Sequence, residues 1–180
     1  SFYSGMEGGN ALADILFGAV CPSGKLPYTV AYSEEDYPYF DPDCEEIEYE
    51  YYHGYCKMEK EGRKVLYPFG YGLSYTEFTC GKPEILVFAN TAKISVLLKN
   101  TGTVKGAEVV QLYVGCEGSR VDRPVKLLKD FARVELMPGE ETKVSLSVSK
   151  ESMAYFDEEQ DTFVTEDIKY IAYIGNCSAD

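Results

Sequence analysis

The chain has 180 residues, with 30 Asp and Glu against 17 Lys and Arg and a single His, giving a formal net charge of −13. Nucleic-acid binders and polybasic membrane-surface modules both need clustered Lys and Arg, so the charge excludes these partners. Hydrophobic residues make up 45% of the chain, enough for a real core. No apolar run approaches the ~20 residues of a membrane span.

The first stretch, Ser1 to about Tyr32, reads as loop, helix, turn and strand. Leu12, Ile15 and Leu16 fall at helical spacing within Ala11–Phe17, with Asn10 as the expected N-cap and Gly18 where a left-handed C-terminal residue belongs. Pro22-Ser23-Gly24-Lys25 forms a turn, and Leu26–Val30 is extended, held to an edge by Pro27. One helix with one strand cannot bury its own apolar face, so this stretch must pack on something else. With only Ser1–Tyr3 ahead of the first loop, the expectation is a segment cut from a longer protein.

The second stretch, Ser33 to about Tyr75, interleaves Tyr37, Tyr39, Phe40, Tyr49, Tyr51, Tyr52 and Tyr55 with acidic residues, and closes on a Gly- and aromatic-rich loop, Tyr67–Tyr75. It is expected to run as an extended connection along a surface. The third stretch, from about Thr76, alternates cleanly. Val144, Leu146 and Val148 share one face and Lys143, Ser145, Ser147 and Ser149 the other, the period-2 mark of a half-buried antiparallel strand. Lys93–Lys99, Ala107–Val114, Lys129–Leu136, Tyr155–Asp157, Thr162–Val164 and Lys169–Gly175 are further strands, separated by turns such as Asn100-Thr101-Gly102 and Pro138-Gly139. Short strands at this spacing predict a mainly β fold, an immunoglobulin or fibronectin III-like β-sandwich. The six cysteines include no C-x-x-C pair and read as buried thiols of a reducing, cytoplasmic setting rather than a disulfide framework.

Four phrases, in this order, carry a resemblance. They are Gly5–Gly18 (GMEGGNALADILFG), Pro22–Pro27 (PSGKLP), Tyr67–Thr76 (YPFGYGLSYT), and Asn100-Thr101-Gly102 with Gly106–Val114, leading to Arg123-Pro124 and Leu136–Glu140. Together the sequence resembles the C-terminal region of family 3 glycoside hydrolases, the β-glucosidase and β-xylosidase group. The resemblance implies three parts: residues 1–32 as the end of an α/β sandwich domain (strand, helix, strand), residues 33–75 as an acidic, Tyr-rich connection, and residues 76–180 as a fibronectin type III-like domain. It implies a parent enzyme that hydrolyses terminal β-linked sugars with retention, using an Asp nucleophile and an acid/base that lie outside this segment. No catalytic residue is therefore expected here. The implied partners are the parent's catalytic domains and its carbohydrate substrate; no cofactor or metal is expected. The alternative is a free-standing β-sandwich module for carbohydrate or protein.

Glu7 precedes a helix N-terminus beside Gly8-Gly9 and reads as a first-turn acid. His53 lacks a neighbouring nucleophile of recognisable arrangement and reads as a packing or surface residue. Asp41, Asp43 and Glu45 lack the EF-hand spacing and its glycine, and read as an acidic turn. Tyr37, Tyr39, Tyr49, Tyr51 and Tyr52 are the candidate rim of a sugar subsite, because pyranose C–H faces pack on aromatic rings. The competing reading has them fill a seam between the sandwich and the α/β part, each hydroxyl reaching solvent.

Overall fold

The computed structural model describes residues 3–180 and is mainly β. Along the chain come α1 (Gly8–Leu16), β1 (Val30–Ala31), α2 (Gly54–Lys60), β2 (Val65–Tyr67), β3 (Phe78–Cys80), β4 (Glu84–Val87), β5 (Thr91–Asn100), β6 (Gly106–Glu117), β7 (Leu127–Leu136), β8 (Glu141–Ser149), β9 (Tyr155–Asp157), β10 (Thr162–Val164) and β11 (Lys169–Gly175). The seven strands expected from Lys93 onward all appear, within a few residues of their predicted ends. The part of the first predicted strand that falls on residues 1 and 2 lies outside the described residues.

Two antiparallel sheets form the sandwich. In one, β5 is flanked by β8 and, end to end on its other side, by β3 and β4; in the other, β6 lies between β7 and β11. The alternating apolar residues meet between them: Ile94, Val96 and Leu98 of β5, Val110, Leu112 and Val114 of β6, with Leu136, Val144, Leu146 and Met153. Each such side chain removed from water contributes about 1.5–3 kcal/mol. β7 and β8 touch and close one side of the sandwich. One turn is fastened by a fully buried amide. Asn100 Nδ2 donates to the carbonyls of Val104 (2.9 Å) and Leu136 (3.0 Å), and Oδ1 accepts from Thr76 Oγ1 (2.7 Å) and the Gly102 N–H (3.0 Å).

β6 breaks the half-buried pattern. Nine of its twelve residues are buried, because its second face is covered as well, by the 69–70 loop and α2 together with Val125, Lys126 and Asn176. That part of the chain contains elements the periodicity did not reveal. β1 pairs with β2, and Leu26 exchanges backbone hydrogen bonds with Gly70 and Tyr71 at 2.8 Å, so the expected Leu26–Val30 strand is regular only at its end. The Tyr-rich connection is interrupted by α2, a single seven-residue helix that buries only Met58 and so leaves no apolar stripe to read.

The start of α1 differs from expectation. Asn10 lies inside the helix and Glu7 holds the cap position without a side-chain cap bond; the Asn10 amide instead donates to Glu7 Oε2 at 2.6 Å. A turn in which the Gly8 N–H meets the Gly5 carbonyl brings the two glycines into helical register earlier than their flexibility suggests. The far end is as expected. Gly18 sits at φ +79° and its N–H reaches the Ile15 carbonyl at 3.0 Å. No residue of α1 is buried: Leu16 is 68% and Phe17 89% exposed.

Candidate functional site

The seam over β6 is built mainly by residues the sequence did not single out for it. Tyr55 of α2 stacks on Phe69 (5.0 Å between centroids) and meets Tyr113 of β6 edge-on (6.0 Å). Its hydroxyl accepts the Leu128 N–H at 3.0 Å, and burial pushes its pKa up to about 12. Tyr113 donates to Gln111 Oε1 (2.6 Å), and Gln111 Nε2 donates to the carbonyls of Asn176 (2.6 Å) and Gly70 (3.3 Å). Gly70 is at φ +82°, and a Cβ there would lie 2.3 Å from Gln111 Oε1, so the aromatic loop can approach β6 only with glycine at this point.

The same seam buries charge. Lys126, only 8% exposed, sits over the rings of Tyr173 (4.9 Å) and Tyr113 (5.5 Å), and donates to the Asp180 carbonyl at 3.1 Å. Glu59 Oε1 is 3.8 Å from Lys126 Nζ, while Glu59 Oε2 is buried without a hydrogen-bond partner. Burial raises the Glu59 pKa against the opposing pull of Lys126. A shifted carboxyl in a cleft would be a candidate catalytic acid, but Glu59 lines neither of the two clefts described below, and its surroundings are those of a packed joint. Lys25 and Glu108 (2.5 Å), and Arg133 and Ser23 (3.0 Å), fasten the PSGKLP turn to the sandwich.

The five candidate tyrosines do not gather into one rim. The Tyr37 hydroxyl accepts the Ala31 N–H (2.7 Å) and donates to the Thr29 carbonyl (3.1 Å), bracing β1, while part of its ring stays exposed. Tyr39 and Tyr49 are exposed. Only Tyr51 and Tyr52 meet, edge-on at 4.9 Å, and the Lys60 ammonium lies 5.0 Å from the Tyr52 ring centre and pairs with Asp122. Desolvation, then Asp122, raises the Tyr52 pKa. His53 occupies the cap position of α2 and makes no side-chain cap bond. Asp41 shapes its own turn by accepting the Asp43 N–H at 2.9 Å. All six cysteines are free thiols, and among the described residues no group of three or more His, Cys, Asp or Glu could hold a metal.

Two clefts stand out among the described residues. One, of about 370 Å³, opens between the sheet edges at β4 and β11 and is apolar, with Ile85, Val87, Ile94, Met153, Tyr170 and Ala172 in its walls. The other, of about 810 Å³, has Tyr51 in its wall together with Arg120, Arg123, Lys129, Tyr155 and Phe163. Arg120 and Arg123 stand over the Tyr155 ring at 5.5 and 5.8 Å, and Arg120 also pairs with Asp157. Phe156 and Phe163 oppose each other across the β9–β10 hairpin and meet edge-on at 5.4 Å. The sequence reading missed this cleft, although counting period 2 outward from the Glu158–Asp161 turn would have placed both rings on one face.

Comparison with known proteins identifies the class. Residues 1–75 match the glycosyl hydrolase family 3 C-terminal domain, and residues 108–178 match the fibronectin type III-like domain. The chain belongs to glycoside hydrolase family 3, as part of its C-terminal region with the fibronectin type III-like domain. Its relatives are beta-glucosidases. The chain is 42% identical to one from Bacteroides ovatus, a match covering all of this chain and 26% of that protein, and 40% identical to one from Kluyveromyces marxianus, covering 22% of it. The crystal structure of the Trichoderma reesei beta-D-glucoside glucohydrolase superposes with a TM-score of 0.90 at 31% identity, over 98% of this chain and 28% of that one. The chain thus spans about a quarter of the length of the relatives it matches.

Proposed function

We propose that this chain is the bracing, non-catalytic part of a retaining, β-glucosidase-like enzyme, and that it divides as residues 1–32, 33–75 and 76–180. The observation that carries the reading is α1: a helix with no buried residue and an apolar face of Leu12, Leu16 and Phe17 turned to solvent. Such a face is stable when covered, and the relatives supply some three-quarters of their length beyond the part matched here. A free-standing module has no use for this helix. In the parent, the partners are then the catalytic domains and a terminal β-linked glycoside. Tyr37, Tyr39, Tyr49, Tyr51 and Tyr52 are the candidate rim of its sugar cleft, Tyr37 offering a ring face while its hydroxyl braces β1.

The test is an aryl β-glucoside assay on the 180-residue chain beside the product of the complete coding sequence. The short chain is expected to be inert and the long one active, with the first-formed sugar in the β configuration, as a two-carboxylate retaining mechanism requires. Turnover by the short chain alone would overturn the bracing role; an inverted product would overturn retention.

A further inference from the structure

We propose that the cleft between Tyr51, the 119–125 loop and the β9–β10 hairpin binds a glycan carrying an isolated carboxylate, with the sugar rings on Phe163, Phe156 and Tyr51 and the carboxylate against Arg123 and Lys129. This goes beyond the hydrolase reading, because it assigns a binding site to this chain itself and stands whether or not the parent cleaves glycosides.

The volume of about 810 Å³ lies within the range of small-molecule sites. Its aromatic walls are open to solvent: Phe163 is 72% and Tyr51 68% exposed. Exposed rings beside fixed charged groups suit a ligand with apolar C–H faces and polar edges.

Charge at the cleft is unequally satisfied. Asp157 is fully engaged, accepting from Arg120, from the Gln160 side chain (2.9 Å) and from the N–H groups of Glu159 (3.1 Å) and Gln160 (3.0 Å). Asp122 is paired with Lys60. Glu166 accepts from Ser119 Oγ (2.6 Å) and the Arg120 N–H (2.9 Å), leaving it 3.8 Å from Arg123 Nη1. The cations are less well served. Arg123 Nη2 donates to the Met153 carbonyl at 2.6 Å, but Nη1 is buried with no hydrogen-bond partner. Lys129 Nζ donates to the Ser152 carbonyl at 2.6 Å and forms no ion pair among the described residues. Burial, then the charge of Arg123, lowers the Lys129 pKa; Arg123 has the long ion pair with Glu166, and Lys129 has no carboxylate of its own among the described residues. A carboxylate placed there gains charge-assisted hydrogen bonds from both.

The exposed carboxylates of Glu158 and Glu159, also at the cleft, repel a ligand of many negative charges. They therefore select a single uronic acid within a neutral glycan over an acidic peptide or a polyuronate.

Titration calorimetry of the 180-residue chain with a glucuronic-acid-terminated disaccharide, with cellobiose and with an acidic peptide tests the assignment. The uronic disaccharide is expected to bind at least about tenfold tighter than cellobiose, the worth of one charged hydrogen bond, and the peptide not at all. Lys129→Gln and Phe163→Ala are each expected to weaken that binding about tenfold or more while leaving the thermal midpoint within ~4 °C, since the exposed Phe163 packs only edge-on against Phe156 and Lys129 lies outside the core cluster. Equal affinity for the two sugars, binding of the peptide in their place, no binding at all, or undiminished binding by Lys129→Gln overturns the proposal.

Discussion

Between Thr91 and Gly175 the apolar face of each long strand meets another strand, whereas in residues 3–75 only Ala31 and Met58 among the hydrophobic residues are buried, and α1 presents Leu16 and Phe17 to water. The sandwich closes over its own core. The N-terminal part is held instead by what it touches on β6 and β7: the edge-on Tyr55–Tyr113 ring contact, a few side-chain hydrogen bonds and the Lys25–Glu108 pair. Alternating patterning therefore predicts self-sufficiency, and a helical stripe without a partner predicts dependence.

That contrast can be broken or sharpened by substitution, measured by denaturant unfolding of the 180-residue chain. The largest effect is expected from Leu112→Ala, which empties a fully buried site between the sheets and should cost about 2–5 kcal/mol. Asn100→Ala should follow at about 3 kcal/mol, because it strands the buried Leu136 carbonyl and Thr76 hydroxyl. Tyr55→Phe removes only the acceptor of the Leu128 N–H while keeping the ring stack, and should cost about 1 kcal/mol.

A smaller, pH-dependent effect comes from Glu59. Its pKa is higher folded than unfolded, so the folded state binds the proton more tightly. Stability from this group is full below the ordinary carboxylate pKa of about 4.3 and declines as pH rises toward the raised value. Glu59→Gln should flatten the unfolding midpoint across that window; an unchanged profile would show that Glu59 is not the group responsible. Smallest of all, Phe17→Ser should change the stability of this chain by less than ~0.5 kcal/mol, yet lower the melting temperature of the complete enzyme by several degrees. Equal shifts in both would remove the distinction between the two regions.

The strands of the sandwich were legible because one face of each is wet: Lys143, Ser145 and Ser147 mark the outside of β8 as clearly as Val144 and Leu146 mark its inside. β6 was legible as a strand but not as a two-faced one, since Gln111 and Tyr113 look like solvent-facing residues until the aromatic loop is seen above them. β4 escaped because its Ile85-Leu86-Val87 run does not alternate, and all three side chains are exposed at a sheet edge. Within the Tyr-rich stretch, residue type signalled aromatic contacts but not which ring would find which partner. Tyr37 was engaged by two backbone groups a few residues upstream, and Tyr55 by a strand more than seventy residues further on. The charged cleft depends on three separate segments meeting, and no spacing in any one of them announces it.

The double cover of β6 bears on how the sandwich can be used outside its parent. Excised at residue 76 as a fusion partner or display scaffold, it would add a bare stripe of Gln111, Tyr113 and Lys126 to the apolar edge already exposed at Ile85–Val87, inviting self-association. Trimming that begins at residue 53 keeps Tyr55, Glu59, Phe69 and Gly70 in place as a built-in cover for that stripe.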